Sequence, residues 1–316
     1  MQTKHSDVVI AGIGQVPVGE HWEVPLRSLA AEAALAALAD ASGLQHQAMY
    51  IGNALGAPAS RQANLGSLLT DNAGLRGVEG VTVEAADASG GAALRVGLMA
   101  VLSGAVETAL VVGVEKWTDV IGPESESMLS QMLDADFEAA QGLTPLSLAG
   151  LLFHRYLEEY EVDHKAFAGF PQVAHANGAT NPYAMFQSPM REGAYERAAE
   201  AAEILNLFDV APYADGAAAV ILTRADNLPR GWDKPQVRII GSSLVTDTLS
   251  IHDRSTPLSG TRPASRWNAP AAGRESCRKM WISLSTMTPP RCMLPYRWKR
   301  QGLLRRDRAG CSPSRK

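Results

Sequence analysis

The residues best suited to chemistry lie in one short run of small side chains, Asp87-Ala88-Ser89-Gly90-Gly91. An apolar stretch, expected to end as a strand at Ala86, leads into this run, and apolar residues at helical spacing follow it. The run is therefore predicted to be a strand-turn-helix elbow. The helix dipole and the free backbone N–H groups at such an elbow point towards whatever binds there.

A second run of small residues, Asp215-Gly216-Ala217, opens an apolar stretch that continues to Leu222. An Asp-Gly turn followed by small side chains indicates that the backbone packs very closely against another segment. By contrast, Gly12 and Gly14 do not open a dinucleotide-binding motif, because the third glycine of that motif would fall on Pro17.

The elements that position these residues follow from hydrophobic periodicity. Unbroken apolar runs predict strands at 7–14, 49–53 and 109–114, the last one covered on both faces. Helical spacing predicts helices at 25–44, at 64–73 and after Gly91, with Gly104 ending the third. The order β-α-β-α-β is typical of a layered α/β domain.

Residues 118–197 have no clear strand pattern and are predicted to form helices and loops, with helices at 146–160 and 164–179. Their histidines, His154, His164 and His175, are expected to be surface or packing residues and not ligands. The apolar segment 237–245 is predicted to be the first strand of a second layered domain.

The net charge of −4 conceals two unlike parts. Residues 1–255 carry 15 Lys and Arg against 31 Asp and Glu, whereas residues 256–316 carry 14 against 2. Basic residues in the tail follow no helical or strand period, which argues against nucleic-acid or membrane binding. Its three cysteines are unsuitably spaced for a zinc site, so no metal is expected. With neither a signal peptide nor a membrane span in the sequence, we expect a cytoplasmic protein.

Several of these segments together resemble the thiolase superfamily, specifically its sterol-carrier-protein-like and archaeal-type acetyl-CoA acetyltransferases. The similar segments are strand 8–14, elbow 84–93, Gly113-Val-Glu115-Lys116, loop 181–184 and run 215–219, in collinear order within about residues 5–255. The resemblance implies the layered αβαβα thiolase fold. It divides the chain into an N-terminal thiolase domain (1–117 and 198–230), an inserted loop domain (118–197), the start of a C-terminal thiolase domain (231–255) and a basic tail (256–316). The second half is expected to be truncated or disordered.

The resemblance places Asp87 where the family has its nucleophilic cysteine. The backbone of Ala88, Ser89, Gly90 and Gly91 would form the oxyanion side of the elbow, and Asp215, Gly216 and Ala217 would form a structural loop of the active site. A thiolate exchanges acyl groups readily, whereas a carboxylate would form a high-energy mixed anhydride. We therefore expect Asp87 to cap the helix, with general-base chemistry on a bound acyl group as the alternative.

The implied function is an acyl-CoA acyltransferase of the acetyl-CoA C-acetyltransferase type, a homodimer or larger homo-oligomer. It would use a coenzyme A thioester as substrate and hold no tightly bound cofactor. With Asp87 at the nucleophile position, and without the family's His-Asp-Ala-Phe, Gly-His-Pro and late Cys-Gly motifs, the chain as written is predicted to be inactive. The alternative is a non-catalytic acyl-CoA-binding or scaffold subunit in a complex with other acyl-CoA enzymes.

The tail suggests a change of reading frame near residues 255–260. If the third base of each codon is joined to the first two bases of the next, Met280-Trp281 must encode Val, and Trp281-Ile282 and Met287-Thr288 must each encode Asp. From Lys279 onward the shifted frame permits Asp-Val-Asp-Leu-Phe-Glu-Tyr-His-Asp-Ala, which resembles the family's missing His-Asp-Ala segment. We therefore predict low order after Arg254 and an exposed apolar face on the first half.

Overall fold

The computed structural model describes residues 7–202 and 204–258. Its strands are β1 (Val8–Gln15), β2 (Ala48–Gly52), β3 (Glu79–Val83), β4 (Thr108–Glu115), β5 (Glu200–Ala202), β6 (Leu205–Asn206), β7 (Gly216–Arg224) and β8 (Val237–Arg238). Its α-helices are α1 (Leu26–Asp40), α2 (Gly56–Ser60), α3 (Leu65–Asn72), α4 (Ser89–Ser103), α5 (Pro123–Leu129), α6 (Pro145–Tyr160) and α7 (Gly169–Gly178). The strands and helices predicted before residue 115 are present, as is the long helix that ends at Tyr160, but the strand before the elbow ends earlier than predicted.

A mixed six-stranded sheet forms the centre of the molecule, in the order β3-β2-β4-β7-β1-β8. β2 runs parallel to β3 and β4, while β7 is antiparallel to both β4 and β1. Helices α1 and α3 pack on one face of this sheet, and α4 packs on the other. The molecule thus has the α-β-α layering that the alternating pattern predicts.

β4 and α4 form as the sequence indicates. β4 is buried along nearly its whole length, as its unbroken apolar run requires. α4 buries Ala92, Ala93, Leu98 and Val101, and it ends at Gly104, whose φ of 77° is the left-handed conformation that glycine adopts without strain.

Two predicted strand boundaries are wrong. The elbow strand ends at Val83 and not at Ala86, because Ala86 has a left-handed φ of 47° and begins a 3-10 turn over 86–88. The segment 237–245 is strand only at Val237–Arg238, where it pairs with Val9 and Ile10 of β1. The remainder stays irregular because strand structure needs a pairing partner as well as an apolar pattern.

Apolar side chains are exposed on α4, as the sequence predicts for the first half, and also in the segment after β8, where no exposure is predicted. Val96 and Met99 on α4 are 38% and 46% exposed, and Ile240, Leu244 and Val245 are 59%, 55% and 55% exposed. The predictions for the basic tail and its reading frame concern positions that, after Leu258, lie outside the described residues. Within residues 7–202 and 204–258, no helix has the length and apolarity needed to cross a membrane.

Gly12 and Gly14 allow α1 to lie directly on β1. A Cβ on Gly14 would come within 2.1 Å of the carbonyl oxygen of Ala33, and one on Gly12 within 2.3 Å of that of Ala37. No real Cβ contact is that short, so any side chain here would force the helix away from the sheet.

We expect Gly14→Ala to lower the free energy of unfolding by about 1–3 kcal/mol, the usual cost of overpacking a core. Gly19→Ala is the matched control, because a Cβ on Gly19 would meet nothing within 4 Å. Urea unfolding followed by circular dichroism measures both changes. Equal midpoints for the two variants would contradict the close packing of α1 on β1.

Candidate active site

The elbow between β3 and α4 is held by Ser89. Its Oγ accepts a hydrogen bond from the backbone N–H of Ala85 at 2.9 Å and donates one to the carbonyl oxygen of Ala86 at 2.6 Å. These bonds stabilise the tight turn in which Ala86 has its left-handed φ of 47°. For a residue with a Cβ this conformation costs about 1–2 kcal/mol, so the elbow carries local strain next to Asp87.

The end of β2 approaches the elbow so closely that a glycine is required there. A Cβ on Gly52 would lie 2.6 Å from the carbonyl oxygen of Ser89 and 2.7 Å from the Cα of Gly90. A Cβ on Gly90 itself would meet nothing within 4 Å. β2 therefore lies very close to the elbow, and the residue that must lack a side chain is Gly52 at the end of that strand.

Asp87 does not cap α4, so the predicted capping role is wrong. No side chain caps the N-terminus of α4, and no hydrogen bond to the Asp87 carboxylate occurs within the part of the chain that the structure describes. Its side chain is open to solvent, while the surrounding protein atoms raise the pKa of its carboxyl group through desolvation. Asp87 thus presents an unpaired carboxylate at the elbow.

Asp87 opens into a cavity of about 520 Å³ between the elbow and the loop that precedes β7. Among the predicted site residues, Ser89, Gly90, Asp215, Gly216 and Ala217 also line this cavity, whereas Ala88 and Gly91 do not. Most of the lining consists of small apolar side chains. Such a cavity suits a compact apolar group next to one ionisable side chain.

Asn53 and Glu115 are cavity residues that sequence analysis did not single out as functional. One carboxylate oxygen of Glu115 accepts a hydrogen bond from Asn53 Nδ2 at 2.9 Å, and the other accepts one from the backbone N–H of Ala54 at 2.9 Å. Burial raises the pKa of the Glu115 carboxyl group, although these hydrogen bonds oppose the shift. The signal in the sequence was a charged Glu-Lys pair directly after the buried run of β4.

Asp215 is the centre of a buried network beneath this cavity. Its carboxylate accepts hydrogen bonds from the backbone N–H groups of His21, Trp117 and Thr118 at 2.8–3.0 Å, and from the hydroxyl of Thr118 at 2.6 Å. The ammonium group of Lys116, only 2% exposed, lies 3.1 Å away. Burial alone would raise the pKa of Asp215, but the hydrogen bonds from Thr118, His21 and Trp117 lower it to about 2.

The three histidines of the inserted segment do not line the cavity. His164 contacts the carboxylate of Asp209 at 2.7 Å, and His175 stacks on Phe186. His154 lies 3.4 Å from Glu158 on the surface of α6. Each therefore has a packing or surface role, as the sequence predicts, and the residues that the structure describes contain no group of three metal-ligating side chains.

The layering, the elbow and the Asp215 loop together define a thiolase-type fold, and comparison with known proteins agrees. The model of the thiolase N-terminal domain family matches residues 8–197, so the chain belongs to the thiolase family. It is 38% identical over 250 residues to the acetyl-CoA acetyltransferase of Methanothermobacter thermautotrophicus, covering 78% of this chain and 64% of that enzyme. It is 35% identical over 264 residues to the acetyl-CoA acetyltransferase of Methanocaldococcus jannaschii, covering 82% of this chain and 67% of that enzyme.

The chain therefore spans about two thirds of the length of the curated relatives that it matches. Among solved structures, the Ltp2-ChsH2(DUF35) aldolase superposes with a TM-score of 0.56 at 24% identity, covering 72% of this chain and 58% of that chain. A likeness at this level of identity describes the shared fold.

Replacing Asp215 with asparagine should lower the free energy of unfolding at pH 7 by about 3 kcal/mol, because the buried ammonium of Lys116 loses its buried partner. The folded pKa of about 2 lies below the unfolded value of about 3.9. The ionised carboxylate therefore stabilises the fold above about pH 4 by about 2 kcal/mol, and this contribution is lost as the pH falls towards 2.

Urea unfolding at several pH values measures the effect, and the difference between the native chain and Asp215→Asn should shrink between pH 4 and pH 2. Asp119→Asn is the control, because Asp119 also contacts Lys116, at 2.9 Å, but is 46% exposed. An exposed partner should contribute less than about 1 kcal/mol. A pH-independent difference for Asp215→Asn would contradict the assignment.

Proposed function

We propose that this chain is a thiolase-type acyl-CoA protein that binds a coenzyme A thioester at the elbow cavity but, as written, does not transfer acyl groups through a covalent intermediate. The observation that carries the proposal is the unpaired carboxylate of Asp87, which opens into the cavity. Two relatives at 35–38% identity are acetyl-CoA acetyltransferases, which supports an acyl-CoA ligand.

The chemistry of a carboxylate explains why covalent acyl transfer fails. Attack by Asp87 on a thioester carbonyl would expel the coenzyme A thiolate and leave a mixed anhydride, which is less stable than the thioester. A cysteine thiolate in the same position would form another thioester at little cost in free energy. Losing the sulfur atom at this position is thus sufficient to remove the acyltransferase activity of the family.

Asp87 nevertheless has the features of a general base. It has no hydrogen-bond partner among the described residues, and desolvation raises the pKa of its carboxyl group. A bound acyl group with its carbonyl at the elbow would bring its α-carbon close to this carboxylate. Asp87 would then remove a proton from that carbon, and the same proton or one from solvent would return to it.

The alternative is a non-catalytic subunit that binds acyl-CoA within a larger assembly. The replacement of the nucleophile favours it, and so does the structural similarity to the Ltp2-ChsH2(DUF35) aldolase, whose name includes a DUF35 component. Self-association is also part of the proposal: β3 forms the edge of the sheet over Glu79–Val83, so its outer backbone groups are available for pairing with a second copy.

Asp87→Cys should restore acylation at the elbow. We expect acetyl-CoA to transfer one acetyl group to the new thiol, with release of one coenzyme A, as measured by peptide mass spectrometry. Ser103→Cys is the matched control, because it places an exposed thiol at the opposite end of α4. Hydroxylamine trapping of an acyl group on Asp87 in the native chain would contradict the proposal.

Deuterium exchange separates the general base from the non-catalytic subunit. In D₂O, we expect the native chain to exchange the methyl protons of bound acetyl-CoA faster than buffer does, and Asp87→Asn to lose this rate while still binding acetyl-CoA. Mass spectrometry of recovered acetyl-CoA gives the rate. Exchange at the buffer rate in both proteins, with binding retained, would instead favour the non-catalytic subunit.

A further inference from the structure

Trp117 differs from every other residue that lines the elbow cavity. Within the part of the chain that the structure describes, it is the one aromatic side chain in the lining, and most of its neighbours there are Gly, Ala or Val. A single bulky side chain among small ones determines how much of a cavity remains for a ligand. Its position therefore limits the space in the cavity that Asp87 also lines.

Several contacts fix the position of Trp117. Its backbone N–H donates to Asp215 at 2.8 Å, which anchors the start of the loop after β4. Its side chain packs against a buried apolar cluster formed by Leu55, Ala59, Met128 and Leu129. The side chain is thus packed against residues of α2 and α5, and a larger ligand would have to break these contacts to displace it.

Tyr213 supports the indole from the loop before β7. The two ring centroids are 5.6 Å apart with an interplanar angle of 32°. The hydroxyl of Tyr213 donates to the carboxylate of Glu126 on α5, and burial together with this bond raises the pKa of the phenol. The pair therefore connects the inserted segment to the loop at the base of β7, and we call it the aromatic wall.

We propose that the aromatic wall of Trp117 and Tyr213 makes the cavity selective for coenzyme A thioesters with short acyl groups over those with long linear chains. This inference rests on the proposed function, because it takes the cavity to hold the acyl end of such a thioester. Since Asp87 and Trp117 line the same cavity, an acyl group whose carbonyl lies at the elbow shares that space with the indole.

The selectivity has a simple physical origin. A short acyl group gains contact with the flat, fixed indole face, whereas a long chain must either displace the indole or leave part of its apolar surface in water. Each methylene that fits or fails to fit in an apolar pocket changes discrimination by roughly tenfold or more. The contacts of Trp117 with the buried apolar cluster and with Tyr213 therefore oppose its displacement by a long acyl chain.

The test measures binding of free coenzyme A, acetyl-CoA and octanoyl-CoA to the full chain by isothermal titration calorimetry. In Trp117→Ala, the preference for acetyl-CoA over octanoyl-CoA should fall by about tenfold or more. Trp117→Phe should shift the preference in the same direction by less. Tyr213→Phe removes only the hydroxyl bond to Glu126 and should cause a small shift.

Trp22→Ala is the matched control, because Trp22 is 55% exposed and does not line the cavity. An unchanged preference in a folded Trp117→Ala protein would overturn the inference and leave acyl-CoA binding intact. If Trp117→Ala does not fold, an unchanged preference in Trp117→Phe has the same meaning. Failure of the native chain to bind any of the acyl thioesters would instead overturn the proposed function and, with it, this inference.

Discussion

The buried carboxylate of Asp215 is the interaction on which the cavity depends. Asp215 is the residue immediately before β7. Its carboxylate accepts hydrogen bonds from His21 in the segment after β1 and from Trp117 and Thr118 in the segment after β4. Each of these segments contributes residues to the lining of the cavity, and none of them is helix or strand where it meets Asp215. A full set of donors keeps the charge ionised in a place where an incompletely bonded carboxylate would be very costly. The cavity therefore has its shape because one acid is completely satisfied.

The elbow differs from this network. Ala86 has a strained backbone conformation there, and the carboxylate of Asp87 has no hydrogen-bond partner among the described residues. Ala86 is held in a left-handed conformation by the bonds of Ser89, while Gly52 lets β2 lie almost against the backbone of Gly90. The stable packing of α4 against the sheet compensates for this strain. As a result the side chain of residue 87 points into the cavity without help from any bond of its own.

The sequence predicts the parts of the fold that depend on local pattern, and it predicts less of what depends on distant contacts. The unbroken apolar run of β4 and the glycine end of α4 are visible from neighbouring residues alone. The end of β3 at Val83 depends on the hydrogen bond that Ser89 Oγ accepts from the backbone N–H of Ala85, four residues earlier. Hydrophobic periodicity does not reveal this bond. Glu115 and Trp117 become cavity residues through contacts with Asn53 and Asp215, which are remote in sequence. The segment after Arg238 shows the same limit, since an apolar pattern becomes a strand only where a partner lies beside it.

The hydrogen-bonded network around Asp215 is separate from the elbow, where the Asp87 carboxylate has no hydrogen-bond partner among the described residues. This separation explains how a thiolase fold can keep its site while residue 87 is an aspartate. The bonds that shape the cavity come from Asp215, Lys116, Ser89 and Glu115, and none of them involves the side chain of Asp87. A change between cysteine and aspartate at this position therefore alters the chemistry of the cavity far more than its geometry. The main energetic cost is desolvation of the carboxylate, which also raises its pKa and so makes it a better proton acceptor. The same partial desolvation that disfavours a charged carboxylate at the elbow is therefore what raises the pKa of Asp87.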